Sequence, residues 1–149
     1  MKVFGDRGTD PKIEGLRRAS VFAECSTKEL EWVATRMDEV RFEPGQVLTR
    51  EGSPGHSFYV LLEGKAEAEI DGHPVATLKA GDFFGEISML DRGPATATIT
   101  TSTNGVLLVM SHGQFRDAIR TNDTLLAGVM AAMAARLRSN LEAGFSRPS

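Results

Sequence analysis

The sequence predicts one mainly β domain, an antiparallel sandwich or barrel with helices before and after it. Between residues 40 and 110, short apolar segments alternate with turn signals about every 8–12 residues, which is typical of such folds. Outside that region the apolar residues follow helical spacing. The length of 149 residues suits a single domain that folds without a metal or a disulfide. We assign residues 1–12 to a flexible tail, 13–39 to N-terminal helices, 40–110 to the β region and 113–143 to C-terminal helices.

The N-terminal helices carry a clear start signal. Ser26 and Glu29 have the spacing of a capping box, in which each side chain bonds the backbone of the other residue. Leu30, Val33 and Met37 then form the apolar stripe of a helix that lies on a core.

Turn residues divide the β region into strands. Pro44-Gly45 and Asp71-Gly72 are tight-turn sequences, and the second is typical of a two-residue hairpin. Residues 58–62 form a dense apolar strand. Residues 66–71 alternate apolar and acidic side chains, the pattern of a half-buried strand.

The C-terminal helix is predicted from a cap at Asn122 or Asp123 to about residue 142. Its apolar residues repeat at spacings of four, three and four, a short heptad seam in which Asn140 takes the next position: Leu126, Met130, Met133 and Leu137. Such a helix either docks on the β region or pairs with a second copy of the chain. We favour the homodimer, with an unknown effector protein as the other partner.

Composition limits the function classes. The net charge of −3 and the absence of a basic stripe argue against nucleic acid as a partner, and Arg136 and Arg138 are expected on a solvated helix face. The single cysteine, Cys25, excludes an internal disulfide and is expected to be a small buried apolar residue. The sequence has neither a secretion signal nor a membrane span, so we expect a cytoplasmic protein.

Residues 81–98 are the most informative part of the chain. A turn places Gly85 before a short helix beginning at Glu86, and glycine lets a ligand approach the backbone closely. The backbone N–H groups of Glu86, Ile87 and Ser88 would then face outward, an arrangement suited to phosphate. A carboxylate beside that anion makes sense if it accepts hydrogen bonds from a neutral part of the ligand. The plainer interpretation is that Glu86 only complements the helix dipole.

These residues resemble the cyclic-nucleotide-binding domains of the catabolite activator protein, protein kinase A regulatory subunits and cyclic-nucleotide-gated channels. The resemblance runs from about residue 16 to residue 141. It rests on the following residues: Pro44-Gly45, Gly52, residues 59–61, Gly64, Gly81-Asp82, residues 84–87, Leu90, Pro94 and Ala97-Thr98. It implies an eight-stranded, jelly-roll-like β-roll (a double-stranded β-helix), no enzymatic activity, and a bacterial-type regulatory module that binds cAMP or cGMP without a further cofactor.

The resemblance also implies roles for individual residues. The ligand would lie against residues 84–98, beginning at Phe84, with its ribose 2′-hydroxyl on Glu86. Backbone amides of residues 85–87 and the side chain of Thr96 would face the phosphate and sugar. Ser139 or Asn140 would cover the base. Binding would move the C-terminal helix.

The sequence departs from the family at Ala95, where the family has the arginine that pairs with phosphate. A charge-assisted hydrogen bond contributes roughly 1.5–3 kcal/mol, so binding should be about ten- to a hundred-fold weaker unless another arginine, such as Arg92, replaces it. One alternative is a degenerate domain that binds no ligand and acts through protein–protein contact.

Two further alternatives remain. A transcription regulator would need a DNA-binding part after residue 149, for which this sequence has no room. A metal-dependent cupin would need clustered histidines, whereas His56, His73 and His112 stand apart and are expected in loops. We therefore expect no metal site.

Overall fold

The structure, a computed structural model, describes residues 10–146. Short turns connect successive elements, and a single 3₁₀ turn at Ser20–Phe22 separates the first two helices. In chain order the elements are α1 (Pro11–Arg18), α2 (Thr27–Ala34), β1 (Asp38–Phe42), β2 (Val47–Thr49), β3 (Ser57–Glu63), β4 (Ala66–Ile70), β5 (His73–Leu78), β6 (Phe83–Phe84), α3 (Glu86–Asp91), β7 (Thr98–Thr101), β8 (Gly105–Ser111), α4 (His112–Thr121) and α5 (Asp123–Ser146).

The eight strands form two antiparallel four-stranded sheets. Their orders are β1-β8-β3-β6 and β2-β7-β4-β5. One apolar cluster lies between the sheets and includes Leu61, Ile99 and Leu107, each at most 5% exposed. The prediction of a jelly-roll-like β-roll with flanking helices is confirmed.

A second core joins the helices to the outer face of the β1-β8-β3-β6 sheet. Phe58 on β3 is its centre, since its ring contacts those of Phe22, Phe83 and Phe115 at centroid distances of 5.1–6.3 Å. Leu30 and Val33 of α2 are buried in the same cluster. This core fixes the helices relative to the sheet, and β6 carries the chain from it directly into α3.

The predicted local signals form as expected. Ser26 and Glu29 make both bonds of the capping box, at 3.1 and 2.7 Å. Asp71 and Gly72 both have positive φ, +56° and +76°, as a two-residue hairpin of this type requires. The Asn122 side chain accepts a hydrogen bond from the backbone N–H of Leu125 at 3.0 Å and so caps α5.

Some boundaries differ from the prediction. Helix α1 begins at Pro11, inside the segment assigned to the tail, because Asp10 caps it by accepting from the backbone N–H of Lys12. Residues 1–9 lie outside the described residues. Strand β1 begins two residues early, at Asp38, and α5 continues to Ser146.

Helix α5 docks on the domain by a face that only partly overlaps the predicted seam, since Met133 packs against the helical core. Leu125 and Val129 are at most 2% exposed, whereas Met130 and Leu137 are 62% and 60% exposed. The docking is close at Gly128, where an added Cβ would lie 2.1 Å from the carbonyl oxygen of Val21. The small residue is therefore required by contact with the 3₁₀ turn. Within residues 10–146, no helix is long and apolar enough to cross a membrane.

Candidate functional site

The site begins with a sharp turn at Gly85. Its φ is +93°, and an added Cβ would lie 2.3 Å from the carbonyl oxygen of Ser57 on β3. A side chain is excluded both by the backbone conformation and by the neighbouring strand. Because of this turn, α3 starts at the edge of the roll with Glu86 as its first residue.

Glu86 is a carboxylate in an almost closed environment. The residue is 1% exposed. Its Oε2 accepts a hydrogen bond from Nη1 of Arg136, and its Oε1 is buried with no hydrogen-bond partner among the described residues. Burial raises the pKa of Glu86, and the nearby guanidinium of Arg136 opposes that rise. A buried acceptor without a partner is costly, so this oxygen is prepared to accept a hydrogen bond.

Arg136 comes from the far end of the chain, on α5. It lies four residues after Ala132 and seven after Val129, on the same face by which α5 docks. Its side chain is 45% exposed, with the guanidinium on Glu86. Arg136 and Arg138 are both exposed, as expected of a solvated helix face, but the contact of Arg136 with Glu86 was not predicted.

A small cavity lies between these groups. It contains about 50 Å³ of free space, enough for a few water molecules and far less than the roughly 300 Å³ or more of a typical small-molecule site. Its lining joins α3, the loop before β7, strands β2 and β3 and helix α5: Thr49, Gly55, Ser57, Phe84, Gly85, Glu86, Ile87, Ser88, Ala95, Thr96, Ala97, Ile99 and Arg136. Phe84 stacks on Tyr59 at 4.6 Å, which holds one wall in place.

The loop that carries Ala95 is held by its own backbone. Ala95 donates its N–H to the carbonyl of Ser53 at 2.8 Å and accepts from the N–H of Gly52 at 2.9 Å. The Ser88 hydroxyl donates to the carbonyl of Pro94 at 3.1 Å. The Ser88 side chain therefore ties the loop to α3, and Ala95 offers the cavity no charge.

The structure brings together seven of the eight predicted site residues, all except Asn140, which is exposed on α5 and does not line the cavity. Arg92, the suggested replacement arginine, is exposed at the C-terminal end of α3 and also lies outside the lining. The predicted site lacked the other six lining residues, which are Thr49, Gly55, Ser57, Ala97, Ile99 and Arg136. For Arg136 a signal existed, since it continues the spacing of Leu125 and Val129.

The histidines do not suggest metal chemistry. His73 begins β5 and His112 begins α4, so the expectation that they lie in loops was wrong for both, and His56 precedes β3. In residues 10–146, no group of three or more His, Cys, Asp or Glu side chains could hold a metal ion.

Fold and cavity together define a β-roll with a small cavity beside α3, lined on one side by Arg136 of the C-terminal helix. A family model of the cyclic nucleotide-binding domain matches residues 39–122, more than half of the chain. The chain belongs to this family.

Curated relatives include a cAMP-dependent protein kinase regulatory subunit of Emericella nidulans. It is 40% identical over 86 residues, which are 56% of this chain and 21% of the relative. The chain thus spans about a fifth of that relative's length.

Two solved structures share the fold. The catabolite activator protein of Thermus thermophilus matches with a TM-score of 0.78 at 23% identity, over 85% of this chain and 62% of that one. The N-terminal domain of a transcriptional regulator from Streptomyces coelicolor A3(2) matches with a TM-score of 0.71 at 32% identity, over 87% and 96%.

Proposed function

We propose that this domain is a non-catalytic sensor that binds cAMP in the cavity beside α3, with Glu86 accepting a hydrogen bond from the ribose 2′-hydroxyl. The observation that carries the proposal is the buried, unpartnered Oε1 of Glu86 on the cavity wall. A neutral hydroxyl donor satisfies this oxygen without adding charge. Membership of the cyclic nucleotide-binding family supports the choice of ligand.

The other predicted residues surround the same space. Phe84, Gly85 and Ile87 form the wall along α3, and Thr96 places a hydroxyl at the exposed rim. In the proposed complex the phosphate lies near Thr96 and the backbone at the start of α3. The base then extends toward α5, where Asn140 of this chain or of a second copy would cover it.

Ligand binding is coupled to movement of α5 in this proposal. The free space of about 50 Å³ is too small for a nucleotide, and Arg136 of α5 fills part of the cavity mouth. Access therefore requires Arg136, or α5 as a whole, to move outward. The ligand can shift α5 only by its difference in affinity for the two positions.

Calorimetric titration with cAMP, cGMP and 2′-deoxy-cAMP tests the proposal. The unmodified chain should bind cAMP, and Glu86→Gln should bind it about tenfold more weakly, because the charged acceptor of one hydrogen bond becomes a neutral amide oxygen. Glu69→Gln, which changes an exposed carboxylate on β4, is the matched control and should bind normally.

The 2′-deoxy ligand locates the contact. It should bind the unmodified chain more weakly than cAMP does, and this preference for cAMP should be smaller in Glu86→Gln, whose neutral amide oxygen is a weaker acceptor. If neither cyclic nucleotide binds at millimolar concentration, the sensor proposal is wrong and the degenerate domain acting through protein contact becomes the better interpretation.

For the partner we propose a second copy of the chain, paired through the outer face of α5. Met130, Leu137 and Leu141 are 52–62% exposed on that face, an apolar stripe that water disfavours. Sedimentation should give a dimer for the unmodified chain and a monomer for Leu137→Glu. Val75→Glu, at an apolar residue 54% exposed on β5, is the control that should leave the dimer intact.

A second candidate function is the sensor part of a transcription regulator. It is favoured by the match at 32% identity to the N-terminal domain of such a protein, 96% of which is covered. The size of the native protein in cell extract distinguishes this candidate from a sensor that pairs only with a second copy of itself. A band well above 16.1 kDa whose additional segment binds DNA would support the regulator.

A further inference from the structure

We propose that Arg136 is the cation that pairs with the ligand's phosphate in this pocket, supplied by α5 rather than by the loop that carries Ala95. The inference rests on the proposed function, since it assumes an anionic cyclic nucleotide in the cavity. It assigns a binding role to a residue on α5, outside residues 84–98, where the sequence predicts most of the site.

The charges that line the cavity require such a cation. Glu86 and Arg136 are the only ionisable side chains among the described residues that line it. A phosphodiester brings one negative charge close to the carboxylate of Glu86, in a buried place where electrostatic repulsion is poorly screened. Without Arg136 two anions would share the cavity with no counter-charge.

The geometry of Arg136 fits this role. Nη1 is bonded to Oε2 of Glu86, and no other hydrogen bond of the guanidinium is seen within residues 10–146. A guanidinium has five N–H donors in a planar fork that suits phosphate and carboxylate. The half-exposed side chain therefore has donors free at the cavity mouth, where a ligand arrives.

Substitution of Ala95 can test whether a cation at another position in the cavity replaces Arg136. Ala95 lines the same cavity, its side chain is a methyl group, and its backbone is fixed by hydrogen bonds to residues 52 and 53. An arginine at position 95 would thus place a guanidinium at the cavity from the other side. If pairing with the ligand is what Arg136 contributes, Ala95→Arg should replace it.

The first experiment compares cAMP affinities by calorimetry. Arg136→Ala should bind about ten- to a hundred-fold more weakly than the unmodified chain, and Arg136→Lys should lie between, since lysine keeps the charge but not the fork. Arg138→Ala removes the same charge from an exposed position on the same helix and should bind normally.

The second experiment is a rescue. Ala95→Arg combined with Arg136→Ala should regain at least tenfold of the lost affinity. Thermal melts of each variant without ligand show whether it is folded at the titration temperature, and Arg136→Lys preserves the test if Arg136→Ala is not.

The outcomes separate the two proposals. If Arg136→Ala binds cAMP as well as, or more tightly than, the unmodified chain, Arg136 only blocks the pocket and this inference is wrong, while the sensor function stands. Binding by Ala95→Arg but not by the unmodified chain also overturns it. If neither chain binds, the proposed function fails, and the inference fails with it.

Discussion

Replacing Gly85 with alanine tests the close approach of the turn before α3 to strand β3. Gly85 has φ +93°, and an added Cβ would lie 2.3 Å from the carbonyl oxygen of Ser57. The left-handed backbone costs an alanine about 1–2 kcal/mol. Relieving the overlap by moving α3 away from β3 should cost about 1–3 kcal/mol more. We expect Gly85→Ala to lower the free energy of unfolding by about 2–5 kcal/mol.

Gly45→Ala is the matched control. Gly45 has φ +87°, but nothing lies within 4 Å of its added Cβ, so only the backbone cost of about 1–2 kcal/mol applies. Guanidinium denaturation of both variants measures the difference. Equal losses of stability would refute the close approach of Gly85 to β3, and with it the position that α3 gives to Glu86.

Three further predictions concern other parts of the domain. Burial raises the pKa of Glu86, so as the pH rises above about 4.5 the folded chain keeps a proton that the unfolded chain has lost, and the free energy of unfolding should fall. Glu86→Gln should not show this fall. Denaturation at several pH values measures it, and the same pH profile for both chains would contradict the prediction. Cys25, buried and with its pKa raised to about 11 chiefly by burial, should react with a thiol reagent only when denaturant is added; rapid labelling of the folded chain contradicts this. Gly128→Ala should lower the melting temperature because its Cβ overlaps the Val21 carbonyl, whereas Gly113→Ala, an open helical position, should not.

The fold could be predicted because its signals are local. The capping box of Ser26 and Glu29 and the hairpin at Asp71-Gly72 each depend on residues next to one another in the chain. The turn at Gly85 and the acid at Glu86 belong to the same class. At these positions the local preferences of the residues agree with the fold, so the sequence indicates the structure without knowledge of long-range contacts.

The part of the site that α5 contributes depends on long-range packing, which local sequence patterns do not reveal. Arg136 lies 50 residues after Glu86, and it reaches the cavity only because α5 docks by the face of Leu125 and Val129. An overlapping stripe through Met130 and Leu137 is equally apolar in sequence but exposed in the structure. Periodicity finds both stripes, and the complementary surface of the 3₁₀ turn selects one of them.

The position of Arg136 on α5 has a consequence for signalling. Its guanidinium pairs with Oε2 of Glu86 through Nη1, and in the proposed complex its free donors pair with phosphate while a ribose hydroxyl bonds the unpartnered Oε1. The charge-assisted contact with phosphate adds affinity only where α5 brings Arg136 onto the ligand, so the ligand favours that position of the helix. With the ligand bound, Arg136 must reach the phosphate as well as Glu86, and this requirement changes the preferred position of α5. A weakly binding ligand can therefore still reposition this helix, because coupling depends on the difference between the two states and not on total affinity.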